Sequence, residues 1–87
     1  MPKIEKNIII KCKQGLHARP AAVFVQIANK YQSTVTVRKG GEQVSGKSIM
    51  GMLMLGADHG SEIVMTVEGE DGVQMFAELE AYLAKEE

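Results

Sequence analysis

Residues 15–21, with the sequence GLHARPA, separate two different hydrophobic patterns. The residues before them alternate between apolar and polar side chains, which is typical of a half-buried β-strand, and the apolar side carries Ile4, Ile8, Ile10 and Cys12. From Ala18 onwards, apolar side chains recur three and four positions apart, which predicts one face of an α-helix with Pro20, Val23, Phe24, Ile27, Ala28 and Tyr31. We therefore predict a strand that is broken by Gly15 and a helix that begins within two residues of His17.

The rest of the chain divides into five segments, predicted from their hydrophobic periods: a strand over 33–39, a strand over 42–45, a helix over 49–55, a strand over 63–67 and a helix over 73–83. Gly40 and Gly41 supply the positive φ angles of a tight hairpin between the first two of these strands. Residues 58–60 indicate a plain turn. Asp71 and Gln74 have the spacing of a capping box at the start of the last helix.

The resulting order of elements, β-α-β-β-α-β-α, predicts an α+β fold in which helices cover one face of an antiparallel sheet. The hairpin at Gly40 and Gly41 argues against a doubly wound parallel sheet, which would need right-handed crossovers throughout. A chain of 87 residues has room for one hydrophobic core, so we expect a single domain over residues 1–87. A domain of this size favours a functional site on its surface over one in a deep cleft.

The composition argues against several functional classes. Ten basic and eleven acidic side chains give a formal net charge of −1, so no basic excess is present to neutralise nucleic-acid phosphates. Cys12 is the only cysteine, which rules out an intramolecular disulfide and a Cys/His metal site. No apolar run is long enough to cross a bilayer, and the first residues lack the apolar stretch of a secretory signal. We expect a cytoplasmic protein with no cofactor, no metal, no nucleic-acid partner and no membrane insertion.

His17 lies where the predicted helix begins, and this position suits an anion. The first N–H groups of the helix, those of Ala18 and Arg19, have no intrahelical acceptor, and the helix dipole is positive at this end. The Arg19 guanidinium can offer two parallel donors to phosphate oxygens. Nearby positive charge also disfavours the imidazolium form of His17, which leaves a neutral, nucleophilic ring. The simpler alternative is that His17 only caps the helix and that Arg19 is a solvated neighbour.

Residues 15–21, followed by residues 47–51 with the sequence KSIMG, resemble the HPr family of the phosphoenolpyruvate–sugar phosphotransferase system. The resemblance extends over nearly the whole chain. It implies an open-faced β-sandwich of four antiparallel strands with three helices on one side, in a monomer. It also implies that His17 carries a phosphoryl group on Nδ1, received from Enzyme I and passed to sugar-specific EIIA components of the permeases.

Ser48 stands directly before the predicted helix over 49–55, where a serine commonly caps the first turn. The resemblance adds regulatory phosphorylation of Ser48 by an HPr kinase/phosphorylase, and binding of a catabolite-control regulator. The helix carries more apolar groups than a short helix can bury, so some should remain exposed as a docking patch for partner proteins, next to His17. We assign the patch to Ala22, Ile49, Met50, Leu53 and Met54. Gly46 predicts a loose loop ahead of Ser48.

Two other functions stay open at this stage. One is a paralogous carrier in a nitrogen-related or regulatory phosphorelay, which the sequence separates poorly from a sugar carrier. The other is a binding-only module that uses the methionine-rich patch and performs no phosphoryl chemistry; such a module would have no need for a nucleophile at position 17. No acid–base pair or substrate pocket is evident, so we expect a phosphocarrier and not an enzyme.

Overall fold

The computed structural model describes residues 3–85. In chain order, the elements in this part of the chain are β1 (Lys3–Ile9), α1 (Ala18–Ala28), β2 (Thr34–Lys39), β3 (Glu42–Ser45), α2 (Ile49–Leu55), β4 (Glu62–Glu68) and α3 (Gly72–Leu83). This is the predicted order β-α-β-β-α-β-α. The single domain predicted over 1–87 includes residues 1, 2, 86 and 87, which lie outside the described part.

The strands form one antiparallel sheet in the order β1-β4-β2-β3. Val35 lies opposite Val67 and Val37 lies opposite Met65, so the apolar side chains of the two central strands meet on one face, where they are buried. The other face is polar, and on it the Thr66 hydroxyl donates to the Glu5 carboxylate at 2.8 Å. The alternation of apolar and polar residues in the sequence therefore correctly predicts which side chains of the central strands face the core.

The helices cover the apolar face of the sheet. α1 packs against α2 and α3, α2 also contacts β2 and β3, and α3 contacts β1 and β4. Phe24 of α1, Met52 of α2 and Leu79 of α3 are fully buried among them. The predicted open-faced sandwich of four antiparallel strands and three helices is confirmed.

Two predictions for α3 are wrong. The three- and four-residue spacing of apolar positions predicts an inward stripe of Val73, Phe76, Leu79 and Leu83. Val73 does not join it: its side chain is exposed, and Met75 is buried instead. Asp71 is the N-cap residue of α3, but its carboxylate makes no capping hydrogen bond, so the capping box with Gln74 does not form.

The Asp71 carboxylate instead joins the start of α3 to the segment before β2. It accepts hydrogen bonds from the Ser33 hydroxyl, from the Ser33 N–H at 2.9 Å and from the Gln32 N–H at 2.9 Å. The hydrogen bond from the Ser33 hydroxyl, followed by that from the Gln32 N–H, holds the pKa of Asp71 below its ordinary value of 3.8. Asp71 is thus a tertiary link, made between residues nearly forty positions apart.

The lowered pKa of Asp71 makes the stability contribution of this link depend on pH. A carboxyl group whose pKa is lower in the folded than in the unfolded state stabilises the fold at pH values above its unfolded-state pKa. That stabilisation is lost as the pH falls through its folded-state pKa. Asp71→Asn should therefore melt at a lower temperature than the parent protein at neutral pH, and the difference should shrink as the pH drops below 3.8. Thermal melts followed by circular dichroism across this range would measure it. Glu70→Gln, which changes the neighbouring exposed carboxylate, is the matched control; a melting difference that is independent of pH would contradict the assignment.

Candidate functional site

The turn between β1 and α1 is held against the loop that follows α2. Gly15 has a φ of +70° and donates its N–H to the Cys12 carbonyl at 2.9 Å, and the buried Leu16 donates to the Ala57 carbonyl at 2.7 Å. A Cβ atom at position 15 would lie 2.7 Å from the Ala57 oxygen and 3.0 Å from the Asp58 Cα. Glycine is required here for two reasons, its positive φ and the close approach of the second loop.

His17 is the N-cap residue of α1, with an extended backbone. Its carbonyl accepts the Ala21 N–H at 2.8 Å, whereas its side chain makes no capping hydrogen bond. The imidazole is 53% exposed. His17 therefore caps α1 through its backbone, while its ring is turned away to other contacts; a role beyond that of a helix cap stays a prediction.

The ring contacts the carboxylate of Asp58, at a position where the sequence indicates only a plain turn. His17 Nε2 lies 3.0 Å from Asp58 Oδ1. A carboxylate only accepts hydrogen bonds, so Nε2 carries a proton, and in the neutral ring the lone pair is then on Nδ1. Asp58 is fixed in turn because its carbonyl accepts the N–H and hydroxyl of Ser61 at 3.0 and 2.6 Å. In a neutral ring the contact with Asp58 selects the tautomer with the proton on Nε2 and leaves the Nδ1 lone pair unused by that contact.

The first turn of α1 offers donors beside the ring. The Ala21 N–H is already used by His17, and Pro20 has none, which leaves the N–H groups of Ala18 and Arg19. Within residues 3–85 these two amides have no hydrogen-bond acceptor, and the exposed Arg19 side chain has no ion-pair partner. The N–H groups of Ala18 and Arg19 are thus unused at the start of α1, directly after His17; that they bind an anion stays a prediction.

A groove continues from Arg19 between the end of β1, the start of α1 and the end of α3. Its lining includes the cationic side chains of Arg19 and Lys85 and no carboxylate from the part of the chain that the structure describes. The groove beside Arg19 is therefore lined by positive charge, whereas the charged group that contacts the His17 ring itself is the Asp58 carboxylate.

Ser48 caps α2 as predicted: its hydroxyl oxygen accepts the Gly51 N–H at 3.0 Å. The loop ahead of it is not loose. Gly46 is buried and donates its N–H to the Val35 carbonyl at 2.8 Å, and a Cβ atom there would lie 2.7 Å from Val35 Cγ1. The Lys47 ammonium donates to the Tyr31 carbonyl at 2.7 Å, which ties the loop to the end of α1.

Ser48 and His17 lie at opposite ends of α1. Lys47 contacts Tyr31, just beyond the C-terminal end of α1, whereas His17 precedes its first turn. Eleven residues of helix rise about 16 Å, so roughly that distance separates the two sites. α2 spans the interval, with its first turn at Ser48 and its last turn leading into Asp58. The predicted proximity of α2 to His17 therefore holds for the C-terminal end of α2 and not for Ser48.

The apolar patch predicted on α2 is exposed. Ile49, Met50, Leu53 and Met54 all face solvent, while Ala22 of α1 is half-buried. Met52 and Leu55, on the opposite side of α2, are buried in the core. Exposure of the patch follows from the shortness of α2, which buries only one side; its use as a docking surface remains a prediction.

Comparison with known proteins places the chain. The family model described as "PTS HPr component phosphorylation site" matches residues 4–85. The chain belongs to the PTS HPr family. It is an HPr-family phosphocarrier, with the fold of a solved HPr structure.

Relatives include proteins under two names. The HPr-like protein Crh of Halalkalibacterium halodurans is 43% identical over 83 residues, which are 95% of this chain and 99% of that protein. The crystal structure of the phosphocarrier protein HPr from Bacillus anthracis is 41% identical, with a TM-score of 0.90 over 93% of this chain and 96% of that one. The Crh structure from Bacillus subtilis, described as a swapped dimer, is 40% identical, with a TM-score of 0.76 over 95% of both chains. The expectation of a monomer therefore stays a prediction.

The described residues also bear on a metal site and on a membrane-spanning helix, neither of which the composition predicts. Among residues 3–85 no cluster of three or more His, Cys, Asp or Glu side chains is arranged to hold a metal ion. No helix in the described chain has the length and apolar character needed to cross a membrane.

The close approach at Gly15 predicts the result of a substitution. Gly15→Ala adds a left-handed φ strain of about 1 kcal/mol and a steric overlap with Ala57 of about 1–3 kcal/mol. Gly40→Ala is the matched control, because Gly40 has a φ of +60° but no atom within 4 Å of the added Cβ. We expect urea denaturation to give a larger loss of unfolding free energy for Gly15→Ala than for Gly40→Ala. Equal losses would show that φ alone accounts for the glycine and that the two loops are not tightly joined.

Proposed function

We propose that Nδ1 of His17 accepts a phosphoryl group from phosphorylated Enzyme I and passes it to sugar-specific EIIA components in the cytoplasm. The observation that carries this proposal is the contact between His17 Nε2 and Asp58 Oδ1 at 3.0 Å, because it leaves the Nδ1 lone pair free on an exposed ring. Membership of the PTS HPr family supports the same reaction class.

In the proposed step, the Nδ1 lone pair attacks phosphorus as the bond from phosphorus to the donor atom of Enzyme I breaks. The ring gains positive charge when Nδ1 is bonded to phosphorus, and the Asp58 carboxylate, which accepts the Nε2 proton, stabilises that charge. The N–H groups of Ala18 and Arg19 and the Arg19 guanidinium can donate to the phosphoryl oxygens. In the second transfer, an acceptor atom of an EIIA component attacks phosphorus as the bond from phosphorus to Nδ1 breaks.

Partner proteins would dock on the exposed apolar patch of α2, together with Ala22 of α1. Enzyme I and the EIIA components must each bring a phosphoryl donor or acceptor to His17, and the last turn of α2 leads directly into the loop that contacts it. A monomer would present the patch and the ring on one continuous surface. The apolar side chains then become buried only in the complex, which supplies binding free energy without a permanent partner.

A regulatory function through Ser48 is a second candidate, and the names of the relatives favour it: a Crh protein is 43% identical, and a Crh structure is described as a catabolite repression protein. Ser48 is half-buried at the start of α2, at the edge of the apolar patch. Phosphorylation there by an HPr kinase/phosphorylase would add about −1.5 to −2 charge to the docking surface. The modified surface would then bind a catabolite-control regulator in preference to Enzyme I and the EIIA components. Both functions can belong to the same protein, since His17 and Ser48 lie at opposite ends of α1.

His17→Ala should fold normally and accept no phosphoryl group, because the variant keeps the backbone that caps α1 and loses only the exposed ring. Phosphorus NMR after incubation with Enzyme I and phosphoenolpyruvate should show an Nδ1-phosphohistidine in the parent protein and none in the variant. His59→Ala is the matched control, since His59 is the only other histidine and lies in the same loop as Asp58. A phosphohistidine that survives in His17→Ala, or an Nε2 adduct in the parent protein, would contradict the proposal.

Ser48→Asp should weaken docking without disturbing the fold. Aspartate also caps helices and its charge suits a helix N-terminus, so the melting temperature should be nearly unchanged. Because Ser48 is far from the ring, the charge should act on binding: we expect the KM of Enzyme I for this protein to rise roughly tenfold, with kcat little affected. Steady-state phosphorylation kinetics would separate the two constants.

Ser48→Ala provides the control, because it removes the cap at a cost of about 1 kcal/mol and adds no charge. It should melt earlier yet dock normally. If Ser48→Ala and Ser48→Asp slow the reaction equally, Ser48 acts as a structural cap and not through charge.

A further inference from the structure

The methionines of this protein fall into two groups with very different exposure. Met50 and Met54 are 63% and 73% exposed, whereas Met52, Met65 and Met75 are fully buried. Met1 lies outside the described residues. The two exposed thioethers are four positions apart on α2, a spacing that places side chains on the same face of a helix. Solvent therefore reaches a pair of neighbouring sulfur atoms on α2, and no others among the methionines of residues 3–85.

This pair lies on the apolar patch, where it alternates along α2 with Ile49 and Leu53, and the chain continues from Met54 into the loop with Asp58. Met54 and Asp58 are four positions apart in the chain, so their Cα atoms are at most about 14 Å apart. A partner that docks on the patch and reaches His17 must therefore contact Met54. The Met54 side chain is then buried against the partner, which should offer an apolar or polarizable surface there.

We propose that Met50 and Met54 are an oxidant-sensitive modification site whose conversion to sulfoxides by hydrogen peroxide blocks docking of the phosphoryl-transfer partners. In each reaction the thioether sulfur forms a bond to one peroxide oxygen as the O–O bond breaks, and the leaving hydroxide takes up a proton. The sulfur is oxidised by two electrons and the peroxide is reduced to water. The inference rests on the proposed docking of Enzyme I at the patch.

The sulfoxide changes the patch in two ways. It replaces a flexible apolar group by a polar one with a strong acceptor oxygen, which must then be buried without a donor when a partner docks. We expect roughly tenfold weaker docking for each sulfoxide that the interface covers. The fold should be unaffected, because the buried methionines are shielded and the oxidised ones make no part of the core. The modification is reversible by methionine sulfoxide reductases, which allows the carrier to recover.

The test compares the parent protein with the double variant Met50→Leu/Met54→Leu, each before and after treatment with hydrogen peroxide. Leucine keeps the patch apolar and similar in volume but cannot be oxidised. Peptide mass mapping should find one added oxygen atom at Met50 and at Met54 well before Met52, Met65 or Met75. In the parent protein the KM of Enzyme I should rise at least tenfold after treatment, with an unchanged melting temperature, and sulfoxide reductases should restore it. The double variant should be insensitive to peroxide, although it retains Cys12.

Three results would overturn the inference. The first is a parent protein that carries both sulfoxides and is phosphorylated on His17 at the untreated rate. The second is oxidation of the buried methionines as fast as Met50 and Met54. The third is equal loss of activity in the double variant, which would assign the sensitivity to Cys12 or another group. Failure of the proposed function gives a different result, because Enzyme I would then fail to phosphorylate the untreated parent protein as well, and the inference would fall with it.

Discussion

The junction of two loops, one before α1 and one after α2, determines the geometry of the site. Its centre is the hydrogen bond from the Leu16 N–H to the Ala57 carbonyl at 2.7 Å, made between two buried residues. Gly15 allows the close approach because it has no Cβ. The same junction is extended by the Gly60 N–H, which donates to the Ile10 carbonyl at 2.8 Å. Without it, His17 would still begin a helix but would have no carboxylate partner, since Asp58 belongs to the other loop.

The junction also fixes the course of α2. One end of this helix is anchored through Ala57 beside His17, and the other is tied by Lys47 to the end of α1. A seven-residue helix held at both ends has little freedom to rotate, so Met52 and Leu55 stay in the core and the patch stays in solvent. Because a helix this short buries only one side, anchoring at both ends determines which apolar side chains remain exposed. The arrangement is stable because the cost of exposing these side chains is offset by the packing of the opposite side.

Local patterns in the sequence predict most of the fold. The alternation of β2 and β4, the start of α1 at Ala18 and the serine cap of α2 all depend on neighbouring residues, and the structure confirms them. What the sequence misses are contacts between distant residues. Asp58 is 41 positions from His17, and Asp71 is 38 from Ser33, so nothing in either local pattern identifies the partner.

The same reason explains the errors at Asp71 and Gly46. Asp71 and Gln74 have the spacing of a capping box. The Asp71 carboxylate oxygens instead accept hydrogen bonds from residues 32 and 33, in the segment before β2. Gly46 resembles a flexible residue only when its surroundings are unknown; in the fold it has no room for a side chain because Val35 and Phe24 pack against it. Half of the site, namely His17 with the first turn of α1, is encoded locally. The other half depends on the tertiary junction.

An exposed histidine places particular demands on a carrier. In the proposed reaction the adduct must be stable enough to form and labile enough to leave, so a site that enclosed the phosphoryl group would hinder the second transfer. Here the ring is 53% exposed and the available stabilisation comes from two amides, one guanidinium and the carboxylate behind the ring. The partner must then supply the remaining stabilisation of the transferring group and exclude water from it. In that reaction, rate and selectivity depend on how accurately each partner is positioned, and this positioning is the role proposed for the patch on α2.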